Sequence, residues 1–209
     1  MKLVVFGATG GTGKQIVAAA LAAGHDVVAV ARRPEAITTT HARLTVVKGD
    51  VLDAASVASA IAGSEAVLSA IGPSNNKQPG TLISDGVVNI VAACTTGKVR
   101  LVFESGLMVG DGRGLSLFGR TALGVFRRLN GALAADKRIA EQTIRDSALD
   151  WVIVRPVSLD DSPATGSYRT GIDIRLRLAN RLSHADVADF MIKAASDPSV
   201  VHTIQDIGH

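Results

Sequence analysis

The stretch LVVFGATGGTGK, residues 3–14, decides the fold of this chain. Its apolar residues 3–6 predict a short buried strand, and the glycines after them predict a tight turn. Residues 15–23 contain strong helix formers and no proline, and Gly24 follows as a C-terminal cap. Because a helix N-terminus offers free N–H groups and a positive dipole, this strand–turn–helix predicts a site for a phosphate group.

The glycines at positions 7, 10 and 13 have the spacing Gly-x-x-Gly-x-x-Gly, which differs from the Gly-x-Gly-x-x-Gly of the standard dinucleotide fingerprint. An ordinary tight turn between a strand and a helix would produce the same pattern. The position of the turn directly after the first strand, together with the second strand described below, favours a dinucleotide site. A nucleoside-triphosphate loop is disfavoured, because Gln15 follows Lys14 where a magnesium-binding hydroxyl would stand.

Residues 25–31 form a second apolar run, which ends at Arg32-Arg33-Pro34. Such a run is typical of a strand buried on both faces of a parallel sheet. In a dinucleotide-binding fold the end of this strand lies over the adenosine ribose, where an acidic residue favours NAD and an arginine favours NADP. Two arginines without an acid therefore predict a preference for NADP(H), although a solvated basic turn would have the same sequence.

The rest of the chain alternates between predicted strands and predicted helices. Further strands are predicted at residues 44–47, 66–72, 100–104, 151–155 and near 200–205, and helices at 54–62, 81–95, 132–147 and 184–195, the last capped by Ser183. This alternation predicts one α/β domain over residues 1–209, a doubly wound Rossmann-type parallel sheet with helices on both faces. Sheets of this kind bind ligands at the carboxyl ends of their strands.

Several candidate site residues follow the predicted strands directly. Asp50 falls where a carboxylate can accept a hydrogen bond from adenine; alternatively Asp50 or Asp53 caps the next helix, which for Asp53 is the preferred interpretation. Gly72 follows the fourth strand and would let the backbone approach the cofactor, and Ser105 follows the fifth. The polar loop after Gly72, residues 73–80, is expected to be mobile.

Two segments are expected on the substrate side, near residues 107–131 and 157–181. The first is glycine-rich, and its apolar residues fit either one side of a helix or a lid over the substrate. The second is irregular. Arginines at 120, 127, 128, 169, 175 and 177 could hold an anionic acceptor there or simply cover the surface.

The composition argues against several classes of protein. A net charge of +3 with dispersed basic residues, and only 3% aromatic residues, disfavours nucleic-acid binding. The single cysteine, Cys94, is expected to be a small core residue. No apolar run approaches the roughly 20 residues that span a bilayer, and His184 and His202 have no second metal ligand nearby. We expect a cytoplasmic monomer or small homo-oligomer that binds a small-molecule acceptor, and no metal, nucleic acid or membrane.

The order of several motifs along nearly the whole chain resembles the atypical short-chain dehydrogenases/reductases of the NmrA-like, NAD(P)H-binding group. Within that group the chain is most similar to the flavin reductase/biliverdin reductase B branch. The motifs are FGATGxTG (6–13), Arg32, GDVL (49–52), SDGxxNIVAA (84–93), Ser105 and DxxPxTGxY (160–168). The first is common to many relatives, whereas their joint order is more specific.

This resemblance implies a pyrophosphate at the glycine-rich turn, a 2′-phosphate at Arg32, and adenine at Asp50 and Val51. It also places Gly72 and Ser105 near the nicotinamide. Lys137 and Ser158 stand where that branch has histidines, and Lys137 either touches the ligand or lies on a helix surface. The residues expected to bind NADP(H) are Gly7, Thr9, Gly10, Gly11, Thr12, Gly13, Arg32, Arg33, Asp50, Val51, Gly72, Ser84, Lys137, Pro156 and Val157, and the expected catalytic residue is Ser105.

One departure from the wider superfamily bears on the chemistry. The usual Tyr-x-x-x-Lys pair is absent, since Leu133 stands four residues before Lys137 and Tyr168 is the one tyrosine. A ketone needs an acid to neutralise the developing alkoxide, whereas a conjugated acceptor spreads the added charge. The sequence therefore favours an NADPH-dependent reductase of a flavin, biliverdin or quinone. The alternative is a non-enzymatic, NmrA-like NADP(H)-binding redox sensor; a nucleotide-sugar epimerase fits less well, because such enzymes usually keep the tyrosine.

Overall fold

The fold is built on a central sheet with helices packed against it. The computed structural model describes residues 1–73, 80–177 and 180–209. The elements are β1 (Lys2–Phe6), α1 (Gly11–Ala22), β2 (Asp26–Ala31), β3 (Leu44–Lys48), α2 (Ala54–Ile61), β4 (Ala66–Ser69), α3 (Leu82–Gly97), β5 (Arg100–Glu104), α4 (Leu117–Leu129), α5 (Gly131–Arg145), β6 (Trp151–Pro156), β7 (Leu159–Asp160), β8 (Arg169–Gly171), β9 (Leu182–Ser183), α6 (His184–Ala194) and β10 (Thr203–Gly208).

Within the described residues the main sheet has the strand order β3-β2-β1-β4-β5-β6-β10-β8. Neighbouring strands are parallel, except that the edge strand β8 runs antiparallel to β10. The strand order reverses between β1 and β4, which is where a doubly wound sheet opens a crevice for a ligand. The predicted Rossmann-type α/β fold is confirmed.

The core lies on both faces of the sheet, because alternate residues of each strand point to opposite sides. In β1, Leu3 and Val5 pack against α1 and α6, whereas Val4 and Phe6 pack against α2, α3 and α5. These four side chains are at most 1% exposed. Cys94 belongs to the second of these cores, and its burial raises the pKa of the thiol to about 12.

Two predicted strands have different ends in the structure. Strand β4 ends at Ser69, three residues early, and the chain then passes close to Gly7. Strand β10 begins and ends three residues late, because a 3₁₀ turn capped by Asp197 occupies residues 198–200. Between residues 107 and 131 the chain forms a short 3₁₀ turn and then α4, so the helical alternative holds there. Of the polar loop expected at 73–80, residues 74–79 lie outside the described part.

Two predicted helix caps are confirmed. The side chain of Asp53 accepts from the amides of Ala55 and Ser56 at the start of α2, and Ser183 accepts from the amide of Asp186 at the start of α6. Such caps satisfy N–H groups that have no partner inside the helix. In the described residues no helix is long and apolar enough to cross a membrane.

Asp186 anchors the irregular segment after β7 to the first turn of α6. Its buried carboxylate accepts hydrogen bonds from the amides of Thr165 and Gly166 and from the hydroxyls of Thr165 and Ser183. Burial alone would raise the pKa of this carboxyl, but the hydrogen bonds from Gly166, Ser183 and Thr165 outweigh it and the pKa is lowered. The motif shared at residues 160–168 therefore has a structural use here.

We expect Asp186→Ala to lower the free energy of unfolding by about 3 kcal/mol, because it leaves buried donors without an acceptor. The loss should shrink as the pH falls below about 4, since a carboxyl with a lowered folded-state pKa stabilises only while it is ionised. Urea unfolding at neutral and acid pH measures both. Asp189→Ala on the partly exposed side of the same helix is the control, and an equal loss in both variants would contradict the anchor.

Candidate functional site

A cleft of about 880 Å³ runs along the carboxyl edge of the sheet, where β1, β2, β4, β5 and β6 end. Its lining residues fall into four groups. They are the phosphate turn (Gly7, Thr9, Gly10, Gly11, Thr12), an end beside β2 (Val30, Ala31, Arg32, Gly49, Asp50, Val51), an end beside β5 and β6 (Ala70, Ile71, Gly72, Pro73, Glu104, Ser105, Gly106, Lys137, Pro156, Val157, Ser158, Leu159, His184) and an apolar wall (Phe6, Leu82, Leu107, Met108, Ala122, Leu123, Phe126, Leu133).

The phosphate turn depends on two glycines that admit no side chain. Gly7 has a φ of +78°, and a Cβ there would lie 2.3 Å from the carbonyl oxygen of Ala70. At Gly13 a Cβ would lie 2.0 Å from the carbonyl oxygen of Gly7. Helix α1 thus packs directly on the turn, with its first N–H groups beside the cleft. Gly13 itself does not line the cleft, so its visible role is this packing.

At the β2 end the structure separates the two candidate arginines. Both arginines are exposed, but Arg32 lines the cleft and Arg33 does not. Asp50 and Val51 also line this end. One carboxylate oxygen of Asp50 accepts from the amide of Leu52 at 3.0 Å, which fixes the side chain at the cleft.

Helix α3 holds this end in place from behind. The side-chain amide of Asn89 donates to the carbonyl oxygen of Val51 at 2.8 Å. A Cβ at Gly86 would lie 2.9 Å from the Val51 side chain, so the glycine allows the loop to pack on the helix. Ser84 is buried, its amide donates to the carboxylate of Asp136, and it does not line the cleft. The motif at residues 84–93 therefore supports the cleft rather than lining it.

At the other end, beside β5 and β6, the polar residues Glu104, Ser105 and Lys137 form what we call the floor of the cleft. The hydroxyl of Ser105 is buried and finds no hydrogen-bond partner among the described residues. The ammonium group of Lys137, on α5, donates to the carbonyl oxygen of Ser105 at 2.5 Å. Lys137 thus points into the cleft rather than out from a helix surface. Pro156 and Val157 close this end, and Gly72 lines it, where an added Cβ would meet no described atom within 4 Å.

The structure adds Glu104 and His184 to the cleft, two residues that the sequence did not identify as cofactor-binding or catalytic. Thr12 donates its hydroxyl to a carboxylate oxygen of Glu104 at 3.0 Å, and the same hydroxyl oxygen lies 2.8 Å from Nδ1 of His184. The imidazole also covers the turn, because a Cβ at Gly11 would lie 2.6 Å from its Nε2. The sequence held only weak signals that these two residues belong to the site. Glu104 directly precedes the candidate Ser105, and His184 directly follows the capping residue Ser183.

The charged groups on this floor are strongly affected by burial. Burial lowers the pKa of Lys137, although Glu104, Glu141 and Asp136 act in the opposite direction. Burial likewise raises the pKa of Glu104, against the influence of Lys137, Thr12 and His184. Both shifts favour the neutral forms of these side chains over the charged forms.

The cleft contains neither the tyrosine nor the arginine side chains considered for the substrate. Tyr168 instead donates its hydroxyl to Asp189 at 2.5 Å and also contacts Lys193. Arg127 does not line the cleft, and its Nε donates to the carbonyl oxygen of Met108 at 2.7 Å. The others do not line the cleft either; Arg169, Arg175 and Arg177 border a separate small pocket with Asn180 and His209.

These features together define a dinucleotide-binding crevice of the Rossmann type. Residues 7–198 match the model of the NAD(P)H-binding family, and the chain belongs to that family. An uncharacterized chloroplastic protein of Arabidopsis thaliana is 33% identical over 175 residues, which are 79% of this chain and 62% of the plant protein. This chain therefore spans less than two thirds of that relative's length.

Solved structures resemble the whole chain. ChuY, an anaerobillin reductase from Escherichia coli O157:H7, is 25% identical with a TM-score of 0.78, over 99% of this chain and 96% of ChuY. A short-chain dehydrogenase/reductase from Veillonella parvula in complex with NADP has a TM-score of 0.79 at 20% identity, over 100% and 94% of the two chains. The family match shows an NAD(P)H-binding chain, and the solved structures share its fold over nearly the full length.

We expect Gly13→Ala to abolish NADPH binding and to destabilise the fold, because its methyl group would overlap the backbone of Gly7. Gly124→Ala is the matched control, since that methyl group meets open space and the residue does not line the cleft. Thermal unfolding and NADPH fluorescence titration measure the two effects. Normal binding by Gly13→Ala would contradict the packing described for the turn.

Proposed function

We propose that the protein is an NADPH-dependent reductase that transfers hydride to a conjugated acceptor such as a flavin, biliverdin or a quinone. The observation that carries this proposal is the cleft itself. The glycine-rich turn, an apolar wall and a polar floor all line this one cleft. The chain's tyrosine lies outside it and donates its hydroxyl to Asp189 instead.

The described residues fit NADP(H). The first N–H groups of α1 and the close backbone of Gly7 and Gly10 suit a pyrophosphate. Arg32 lines the β2 end and suits a 2′-phosphate, with Asp50 placed for adenine. The unpartnered hydroxyl of Ser105 would find a partner in the carboxamide or in the acceptor.

When bound, NADPH supplies the hydride, and the protein must hold the acceptor in line and exclude water. Leu107, Met108, Leu123, Phe126 and Leu133 offer an apolar wall on which a flat ring system can pack. Ser105 and Lys137 would orient polar groups of the acceptor from below. Because a conjugated acceptor spreads the added charge, this arrangement does not require a tyrosine.

The similarity to ChuY supports reduction as the reaction class, since ChuY is a reductase and the likeness covers nearly the full length of both chains. The flavin, biliverdin and quinone acceptors rest on the chemistry of the cleft and on the resemblance to the flavin/biliverdin reductase branch. A redox sensor remains the competing function, and turnover separates the two.

The direct assay follows NADPH oxidation with FMN, riboflavin, biliverdin or a soluble quinone, with NADH and an acceptor-free reaction as controls. We expect oxidation that depends on an acceptor and is faster with NADPH. Tight binding of NADPH without turnover on any acceptor would contradict a reductase and support the sensor.

We expect Arg32→Ala to weaken NADPH binding by about 10-fold to 100-fold, because one charge-assisted contact with the 2′-phosphate is lost. NADH has no such phosphate, so its affinity should change little. Arg33→Ala is the matched control, an exposed arginine next in sequence that does not line the cleft. Isothermal titration of both cofactors measures the effect. Equal losses for NADPH and NADH, or no loss, would contradict the assignment.

A further inference from the structure

A chain of polar side chains connects the phosphate turn with the floor of the cleft. It runs from His184 at the start of α6, through Thr12 in α1, to Glu104 at the end of β5. The two contacts measure 2.8 Å and 3.0 Å. Thr12 is 92 positions from Glu104 and 172 from His184 in sequence. All three residues line the cleft, and Thr12 is only 4% exposed between the other two.

The hydrogen-bond chemistry gives this chain a direction. A hydroxyl has one hydrogen, and an ionised carboxylate can only accept. When Glu104 is ionised, Thr12 must therefore donate to it, and Nδ1 of His184 must donate to Thr12. When Glu104 is protonated, it can donate to Thr12, which then donates to Nδ1, so that the imidazole carries its hydrogen on Nε2. The two arrangements differ by the proton on Glu104 and by which ring nitrogen of His184 carries its hydrogen.

We propose that His184, Thr12 and Glu104 form a proton path that supplies the proton accompanying hydride transfer, with Glu104 as the catalytic donor and Thr12 and His184 as positioning and relay residues. The inference rests on the proposed reductase function. It assigns to Glu104 the role that the absent tyrosine would have filled.

The step balances. The acceptor gains two electrons and a proton as hydride from NADPH, and a second proton from the carboxyl group of Glu104, whose O–H bond breaks. With Glu104 ionised, the imidazole exchanges through water to its Nδ1–H form. The carboxylate then takes the hydroxyl proton of Thr12, Thr12 takes the Nδ1 proton of His184, and Nε2 takes a proton from solvent, which restores protonated Glu104 with the Nε2–H imidazole.

The charges around the path suit this role. Lys137 faces Glu104 from α5, and His184 faces it from α6; both act against the burial that raises the pKa of Glu104. Asp160, at the end of β7, feels the charge of His184, but its carboxylate is already held by the amide and hydroxyl of Ser162. Asp160 is therefore close to the path without belonging to it.

The kinetic test compares wild type with Glu104→Gln, which keeps the shape of the side chain but cannot supply the proton. With an acceptor that must be protonated, such as biliverdin, we expect kcat to fall about 100-fold and the solvent deuterium isotope effect to change. FMN can take hydride as an anion without a proton, so its reduction should be much less affected. The dissociation constant of NADPH should stay the same, and Asp160→Asn should behave as wild type.

The variants Thr12→Val and Thr12→Ser distinguish a role of the Thr12 hydroxyl in proton transfer from a role of the side chain in packing. Valine preserves the shape of threonine without the hydroxyl, so it should slow biliverdin reduction as Glu104→Gln does, whereas serine should restore most of the rate. Normal biliverdin turnover by Glu104→Gln would overturn the path while leaving the reductase function intact.

A second measurement does not depend on activity. In ¹⁵N NMR spectra of the cofactor-free protein, the ring of His184 should change from the Nε2–H to the Nδ1–H form as the pH is raised and Glu104 loses its proton. Thr12→Val should abolish this coupling, and Asp160→Asn should not. If the ring of His184 stayed in the Nε2–H form at every pH, whatever the protonation of Glu104, the proposed proton path would be wrong. This outcome can be read even if the protein reduces no acceptor.

Discussion

The contact between Gly13 and the carbonyl group of Gly7 is the constraint on which the rest of the structure depends. With no Cβ at position 13, α1 begins directly on the turn after β1 and points its N-terminus along the carboxyl edge of the sheet. Gly7 meets Ala70 just as closely on the other side. The turn is therefore fixed from two directions, and a phosphate can approach backbone rather than side chains.

The cleft that follows from this constraint combines two surfaces with different tasks. One wall is apolar and suits a flat ring, while the floor holds Glu104, Lys137 and Ser105 away from bulk water. Removing such groups from water is costly unless they are hydrogen-bonded. Thr12 and the Ser105 carbonyl group partly offset that cost. This polar cluster lies at the carboxyl end of β5, one strand away from the point where the strand order reverses, and it is the part of the cleft to which we assign the chemistry.

Much of the fold was predictable because local patterns determine it. Valine-rich runs and glycine turns indicated the parallel strands, and Asp53 and Ser183 marked helix starts. The antiparallel edge strand β8 is only three residues long and carries no such pattern. Among the residues that line the cleft, those of the glycine turn, Arg32 and Asp50 were accessible from the sequence, whereas the contact of Thr12 with Glu104 and His184 joins three distant segments. Only the tertiary structure brings those side chains together.

Transfer of hydride from NADPH to a conjugated acceptor in this cleft can be followed in a single-turnover reaction with NADPH deuterated at C4, on one face of the nicotinamide or on the other. We expect deuterium on one face of the nicotinamide to slow the oxidation of NADPH by the acceptor, and deuterium on the other face to leave the rate nearly unchanged. Bound NADPH that stays reduced in the presence of FMN, biliverdin and a quinone would contradict such a transfer.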